Sequence, residues 1–122
     1  TKRASLAAAP DVEGLSPDTA VLGPDGVVLI VGFGRVGRLV GELLAEHGQR
    51  FIALDADPAS VRSGRADGHE VYYGDAARPD MLSACGLASA RALIVTMDSP
   101  TKVDEVVKAA RALRPDLILI AR

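Results

Sequence analysis

Three glycines at a fixed spacing, Gly32, Gly34 and Gly37, are the residues whose arrangement points most directly to chemistry. They follow a run of apolar, mostly β-branched residues, 27–31, which predicts a strand buried on both faces. In a strand–turn–helix unit, the first glycine allows a tight turn, the second lets backbone amides approach a pyrophosphate, and the third lets the helix pack against the strand. The helix then offers free amides and a positive dipole end to an anion. The spacing therefore predicts a site for nucleotide phosphates.

A carboxylate that follows the second predicted strand suggests which nucleotide is bound. Asp55 comes at the carboxyl end of residues 51–54, where it would accept hydrogen bonds from both ribose hydroxyls and repel a 2′-phosphate. This favours NAD or a plain adenosine nucleotide over NADP, although an ordinary turn aspartate is the alternative. Asp57 stands directly before Pro58, a pattern typical of a helix cap, with a ligand contact as its alternative role.

Two further pairs of residues follow the third and fourth predicted strands. Ligands of open α/β sheets bind along the edge formed by the carboxyl ends of the strands. Asp75 and Ala76 could therefore contact the adenine, and Thr96, followed by Met97, could contact the ribose or a phosphate. Each polar member of these pairs could instead cap a neighbouring backbone group.

Two arginines, Arg35 and Arg38, fall in the first turn of the helix after the glycines. Cations there oppose the helix dipole, at a cost of roughly 0.3–1 kcal/mol each unless something compensates. A bound phosphate or an acidic partner surface would compensate, and the arginines would then mark where a partner senses the ligand's charge. Two solvated arginines are the alternative.

Groups that would carry out a reaction are missing from the sequence. It contains no Ser/His/Asp set, no CxxC and no HExxH motif, and no second domain that would hold a substrate. A hydride-transfer enzyme needs an acid–base group and a substrate pocket. We therefore expect nucleotide binding without catalysis, with the cofactor-binding fragment of an NAD-dependent dehydrogenase as the alternative.

Composition limits the other classes of function. The 122 residues are enough for one domain, and the net charge of -2 with 3% aromatic residues argues against nucleic-acid binding. The single cysteine, Cys85, fits a reducing compartment. Because no apolar run is long enough to cross a bilayer, we expect this fragment itself to be soluble. A start at Thr1 instead of Met, and an end within a predicted strand, suggest a piece of a longer protein.

The elements that position these residues alternate strictly between strand and helix. Residues 1–26 contain Pro10, Pro17 and Pro24 with scattered Ala, Ser, Gly and Asp, and they predict a linker or disordered tail. From residue 27 onward the pattern predicts a Rossmann-like α/β domain, 27–122, with a doubly wound parallel sheet and helices on both faces. The first helix carries apolar residues at Val36, Leu39, Val40, Leu43 and Leu44, the last begins near Ser99 or Thr101, and residues 117–121 predict a fifth buried strand.

Five segments together resemble a known family. They are Val27–Arg38 (VVLIVGFGRVGR), Ala53–Pro58, Tyr73–Ala76, Leu82–Gly86 and Ile94–Asp98, in that order. The set is similar to the RCK or Trk-type N-terminal nucleotide-binding domain. Within that family, the glycine segment and the Tyr-Gly-Asp-Ala segment are most like those of the Kef-type potassium efflux systems. The resemblance covers 27–122.

The resemblance implies a regulator on the cytoplasmic side of the inner membrane, acting on a potassium efflux channel or a cation:proton antiporter. Its partners would be a second copy in a homodimer and a transmembrane transport domain of the same or a partner chain. The regulatory ligand would be NAD(H) or AMP, and Kef-type systems also respond to glutathione and its adducts. The nucleotide contacts of the family carry over to Gly32, Phe33, Gly34, Arg35, Val36, Asp55, Asp75, Ala76, Thr96 and Met97.

Two departures limit what the resemblance carries over. Cys85 stands where the family usually has Ala, which indicates core packing, with a thiol sensor as the alternative. The chain also ends at Arg122, before the helix and strand through which the family dimerises and which form part of the glutathione site. Control by glutathione therefore does not carry over residue by residue.

Overall fold

The computed structural model describes residues 26–121, and the predicted tail, 1–25, lies outside the described residues. Five strands alternate with four α-helices along the described chain. They are β1 (Val27–Val31), α1 (Arg35–Glu46), β2 (Phe51–Asp55), α2 (Pro58–Ala66), β3 (Val71–Tyr73), α3 (Pro79–Ala84), β4 (Ala90–Val95), α4 (Pro100–Leu113) and β5 (Leu119–Ala121), with a 3₁₀ turn at Leu87–Ser89 before β4.

The strands form one parallel sheet in the order β3-β2-β1-β4-β5. The chain proceeds outward from β1 to β3 and then returns to the other side of β1 with β4, so the order reverses beside β1. Open sheets of this kind have a crevice at that reversal, outside the carboxyl ends of the central strands. The predicted doubly wound, Rossmann-like sheet is confirmed, and the glycine loop follows the strand at its centre.

Alternate side chains of β1 enter two separate cores, because successive residues of a strand point to opposite faces. Val27, Leu29 and Val31 join a cluster that includes residues of α3 and α4. Val28 and Ile30 join a second cluster, which includes a residue of α2. Helix α1 packs against this second cluster. Every residue of β1 is buried, as predicted from its unbroken apolar run.

Helix α1 packs on the sheet through its smallest residues, which the apolar pattern of the sequence does not reveal. Gly37 and Gly41 are its buried positions, and a Cβ at Gly41 would come within 2.6 Å of the Phe51 ring. Because α1 approaches the sheet closely at these glycines, several of its large apolar side chains face outward. Leu39 is 58% exposed, for example. The other outward-facing large residues of the helix are Val36 and Leu43.

The prediction of a fifth buried strand over 117–121 is wrong in both length and burial. Strand β5 begins at Leu119, and it pairs with β4 alone in the described part of the sheet. Leu117 is buried in the core beneath α4, whereas Ile118 and Ile120 are 64% and 56% exposed. An apolar run does not distinguish a central strand from an edge strand, since that difference depends on which elements cover it.

Two details left open by the sequence are resolved at α4 and α3. Ser99 caps α4, because its hydroxyl accepts a hydrogen bond from the amide of Lys102 at 3.3 Å. Cys85, just after α3, is buried in the first core, as expected for a packing residue. Burial raises the pKa of its thiol to about 12, and the charge of Glu70 adds to the effect. A thiol in that environment is a poor redox sensor.

Candidate functional site

The glycine loop turns sharply between β1 and α1 because of its first and third glycines. Gly32 has a φ of +95°, and a Cβ there would approach the Thr96 hydroxyl oxygen to 2.7 Å. A Cβ at Gly37 would overlap the carbonyl group of Gly32, so the helix contacts the loop directly. At Gly34, in contrast, a Cβ would meet no atom of the described chain within 4 Å. The space beside Gly34 is therefore open, as phosphate binding requires.

A cavity of about 570 Å³, called here the loop cavity, lies at the start of α1. Within the described residues, no side chain caps the helix, and its first turn contains no acidic residue. Its free amides and positive dipole end are thus available to an anion. The residues that line the loop cavity are Gly32, Gly34, Arg35, Val36, Gly37, Asp55, Thr96, Met97 and Asp98.

Asp55 lies at the end of β2 with both carboxylate oxygens in use. Oδ2 accepts a hydrogen bond of 2.5 Å from the Phe33 amide, and Oδ1 accepts one of 2.8 Å from the Asp57 amide. An ionised carboxylate has about four acceptor sites, so two remain for ribose hydroxyls. The two amides hold the carboxylate in one orientation at the cavity wall. The sequence predicted the place of Asp55 but not this link to the glycine loop.

Thr96 stabilises the glycine turn through hydrogen bonds to its carbonyl groups. Its side chain is buried, and its hydroxyl lies 2.7 Å from the carbonyl oxygen of Gly32 and 3.2 Å from that of Val31. The amide of Thr96 also donates to the Val31 carbonyl at 2.9 Å, which ties the end of β4 to β1. Thr96 therefore lines the loop cavity as part of its rear wall, next to Met97.

A second cavity of about 260 Å³, called here the strand-end cavity, adjoins the first and shares Gly32, Asp55 and Met97 with it. Both members of the predicted pair Asp75 and Ala76 line it, the former at an exposed position. The Asp75 carboxylate accepts a hydrogen bond of 2.9 Å from the Ala77 amide, which stabilises its loop. The other residues that line the strand-end cavity are Val31, Leu54, Ala56, Gly74, Lys102 and Val106.

Sequence reasoning missed the contribution of α4 and its leading turn. Asp98 lines the loop cavity, and Lys102 and Val106, one helical turn apart, line the strand-end cavity. A signal was present, because an element that follows a central strand starts at the ligand edge of the sheet. Residues of the first turns of α4 were therefore candidates on position alone.

Two predicted contacts, Phe33 and Asp57, line neither cavity. Phe33 is 0% exposed, and its ring is packed in the second core. Asp57 caps α2, accepting hydrogen bonds of 3.2 Å from the Ala59 amide and from the Ser60 hydroxyl. The capping role is confirmed. A ligand contact by either residue stays a prediction. In this structure, the amide of each residue donates a hydrogen bond to the Asp55 carboxylate.

The two arginines of α1 have different surroundings. Arg35 is exposed and lines the loop cavity, where its charge would face a bound phosphate. Arg38 points toward α2, where it forms an ion pair with Asp67 and donates a hydrogen bond of 2.8 Å to the Ser63 hydroxyl. The alternative of a solvated side chain is therefore wrong for Arg38.

The part of the chain that the structure describes contains neither a metal-binding cluster nor a helix able to span a membrane. Within residues 26–121, no three His, Cys, Asp or Glu side chains are arranged to hold a metal ion. In the same range, each helix is too short or too polar to cross a bilayer.

A family model for the TrkA-N domain matches residues 28–122 of the chain. The chain belongs to the TrkA-N domain family. Its resemblance to RCK/Trk-type domains and to Kef-type systems is confirmed by the relatives as well. The glutathione-regulated potassium-efflux system protein KefC of Cronobacter sakazakii is 38% identical over 95 residues, which are 78% of this chain and 15% of that protein. The TrkA-N chain thus spans a small part of that relative's length.

Two solved structures are similar to this TrkA-N domain in both fold and sequence. The TrkA-N domain of the inner membrane protein ybaL from Escherichia coli has a TM-score of 0.72 and 34% identity, over 78% of this chain and 70% of that one. The Kef C-terminal domain of Shewanella denitrificans, in an AMP-bound form, has a TM-score of 0.70 and 38% identity, over 80% of this chain and 58% of that one.

Proposed function

We propose that this TrkA-N domain is the regulatory nucleotide-binding domain of a potassium efflux channel or a cation:proton antiporter. In this proposal an adenine nucleotide, AMP or NAD(H), occupies the cleft formed by the loop cavity and the strand-end cavity. The domain carries out no reaction. Occupancy favours one arrangement of a domain dimer, and that arrangement biases a transport domain on the membrane.

The observation that supports this most strongly is the position of Asp55 between the two cavities. A nucleotide whose phosphate lies at the amides of α1 would place its ribose at Asp55 and its base in the strand-end cavity. The walls of that second cavity are mainly apolar, with Leu54, Ala76 and Val106 among them, as suits an adenine ring. The AMP-bound form of the Shewanella denitrificans Kef domain adds weight, because it is 38% identical to this chain.

Thermal stability with and without nucleotide tests the binding part of the proposal. A ligand present at a hundred times its Kd stabilises the folded state by about 2.7 kcal/mol, so AMP or NADH at millimolar concentration should raise the Tm measurably. Asp55→Asn should reduce this shift, because it removes the charge that accepts the ribose hydroxyls. Asp104→Asn is the matched control, since Asp104 is exposed on α4 away from the cleft and should leave the shift unchanged.

No shift with AMP, NAD, NADH or ATP would contradict nucleotide sensing. A normal shift in a folded Asp55→Asn variant would mean that the ribose lies elsewhere in the cleft. If the nucleotide binds, a measurement of potassium flux in vesicles that carry the full-length protein tests regulation. Flux that ignores nucleotide in the wild type would contradict the gating step while leaving the binding site intact.

The alternative of a dehydrogenase fragment makes a different prediction about the gene. A dehydrogenase would encode a catalytic domain with an acid–base group after Arg122, whereas the regulator would encode apolar membrane spans in the same or a neighbouring gene. The match to the TrkA-N family and the KefC relatives favours the regulator. The reading frame on either side of this segment distinguishes the two.

A further inference from the structure

Arg38 forms an unusual set of contacts for a residue in the first turn of a helix. Its guanidinium group pairs with Asp67 at the end of α2, donates to the Ser63 hydroxyl at 2.8 Å, and lies 5.8 Å from the centre of the Phe33 ring. The side chain is 22% exposed, so most of it is removed from water. These contacts fix the guanidinium over one face of an aromatic residue that belongs to the glycine loop.

The Phe33 ring is enclosed on its other sides by α2 and the sheet. Its centre lies 5.8 Å from that of Phe51 and 5.6 Å from that of the His69 ring. A Cβ at Gly64 on α2 would come within 3.0 Å of the ring, so helix and ring are in direct contact. Arg38 therefore covers a side of the Phe33 ring that α2 and the sheet do not cover.

The backbone of Phe33 carries this restraint to the cleft. Its amide donates the 2.5 Å hydrogen bond to Oδ2 of Asp55, the shorter of the two bonds that orient the carboxylate. A shift of the ring would move the amide, since two bonds connect it to the side chain. The orientation of Asp55 thus depends on a residue that Arg38 holds in place.

We propose that Arg38 is a positioning residue for nucleotide recognition, acting through Phe33 to orient Asp55 toward the ribose. The inference rests on the proposed function, because it assumes that Asp55 accepts the ribose hydroxyls. Arg38 makes no contact with the ligand in this role. Its influence falls on the recognition of the ribose and leaves the phosphate and base contacts unchanged.

Discrimination between AMP and 2′-deoxyadenosine 5′-phosphate measures this role directly in the full chain. The two ligands share their phosphate and base and differ only in the 2′-hydroxyl that Asp55 would accept. Isothermal titration should show that the wild type prefers AMP. Arg38→Met keeps an apolar stem but removes the charge and the hydrogen bonds, and it should reduce the preference about threefold. In an Asp55→Asn background the same change should have no further effect on the preference.

Matched variants separate positioning from general loss of stability. Arg62→Met changes an exposed arginine of α2 and should leave the preference unaltered. Asp67→Asn removes the ion pair by changing the Asp67 side chain, which is 55% exposed. It should reduce the preference for AMP in the same direction as Arg38→Met. If Arg38→Met does not fold, Asp67→Asn decides the question by the same criterion.

The outcomes distinguish this inference from the proposed function. If Arg38→Met weakens both ligands equally, the arginine acts on the phosphate or on stability, and the positioning role is wrong. If the wild type binds neither ligand, the positioning role in AMP recognition is wrong, and if it also binds no NAD(H) or ATP, the proposed function fails as well. If the wild type binds both equally well, Asp55 does not accept the 2′-hydroxyl, and the inference fails although nucleotide binding stands.

Discussion

Glycines and backbone contacts set the shape of the turn at the loop cavity, whereas apolar side chains form the walls of the strand-end cavity. In the loop cavity, Gly32 adopts a positive φ, Gly37 contacts the carbonyl group of Gly32, and the Thr96 hydroxyl fastens the turn. In the strand-end cavity, the walls are apolar side chains of the first core, with Asp75 and Lys102 exposed at the rim.

This difference shows which half of the cleft allows variation. A substitution at Gly32 or Gly37 changes the backbone path and therefore the stability of the whole domain. A substitution at the exposed rim of the strand-end cavity leaves the backbone path unchanged, and in the proposed function it would change a contact with the ligand. In the proposed function, the phosphate end of the nucleotide would thus be recognised by the fold itself, and the base end by replaceable side chains.

The strongest test of this comparison is Gly37→Ala. The new Cβ would overlap the carbonyl group of Gly32, so α1 must move away from the loop. We expect a loss of about 3 kcal/mol in the free energy of unfolding, at the upper end of the cost of overpacking. Urea denaturation measures the loss. A change below about 0.5 kcal/mol would contradict the close contact between helix and loop, since that is the range of neutral surface substitutions.

Gly34→Ala is the matched control, one turn earlier in the same loop. Its Cβ would meet no described atom within 4 Å, so the free energy of unfolding should change by less than about 1 kcal/mol. The methyl group would, however, occupy space beside the amides of α1. Nucleotide affinity should therefore fall in Gly34→Ala without a matching loss of stability. The pair separates a glycine required by the fold from one required by the ligand.

A smaller effect tests the side-chain core beneath the strand-end cavity. Cys85 belongs to the same core as Leu54, Ala76 and Val106, and burial raises the pKa of its thiol to about 12. The unfolded chain ionises this thiol near its ordinary pKa while the folded chain keeps the proton. Stability is therefore full below the unfolded pKa and falls as the pH rises toward the folded one, by about 1.5 kcal/mol between pH 8 and pH 10.

The check is urea denaturation over that pH range in the wild type and in Cys85→Ala. The variant should lose some stability at every pH because of the smaller side chain, but its curve should be flatter by the same 1.5 kcal/mol or so. Tyr72, whose pKa burial also raises, titrates in the same direction and stays in both proteins. Parallel curves would show that the Cys85 thiol is accessible to water, contrary to its place in the core.

The sequence predicted the loop half of the cleft more completely than the other half. Glycine spacing after an apolar run is a local pattern, and Gly32, Gly34 and Gly37 all line the loop cavity as expected. Asp55 was also predicted from its distance to the glycines. The amide of Phe33 was not predicted as its partner, because a side chain–backbone bond over 22 residues leaves no periodic signal.

Burial of apolar residues was predicted less well, for a physical reason. Strand β1 is covered on both faces, but the similar run at 117–121 ends in β5, which lies at the edge of the described sheet and whose Ile120 is exposed. Leu39 and Leu43 follow helical spacing and are exposed, because glycines bring α1 onto the sheet by a different face. Local pattern gives the type of an element, whereas its burial depends on neighbours distant in the chain.

The smallest expected effect concerns the base end of the cleft. Asp75 is exposed at the rim of the strand-end cavity and bonds the Ala77 amide, so Asp75→Ala should change the free energy of unfolding by less than about 1 kcal/mol. If Asp75 also accepts a hydrogen bond from the adenine amino group, AMP affinity should fall about threefold, the effect of one such bond.

Inosine 5′-monophosphate provides the reference for that change, because it has a carbonyl oxygen in place of the amino group. Its affinity for the wild type should be lower than that of AMP and should change little in Asp75→Ala. Equal losses for both nucleotides would mean that Asp75 acts on the loop and not on the base. Asp75 would then serve the backbone of its loop, as the glycines do in the other half of the cleft. Lys102 would be the one of the two named rim side chains left to contact the ligand directly.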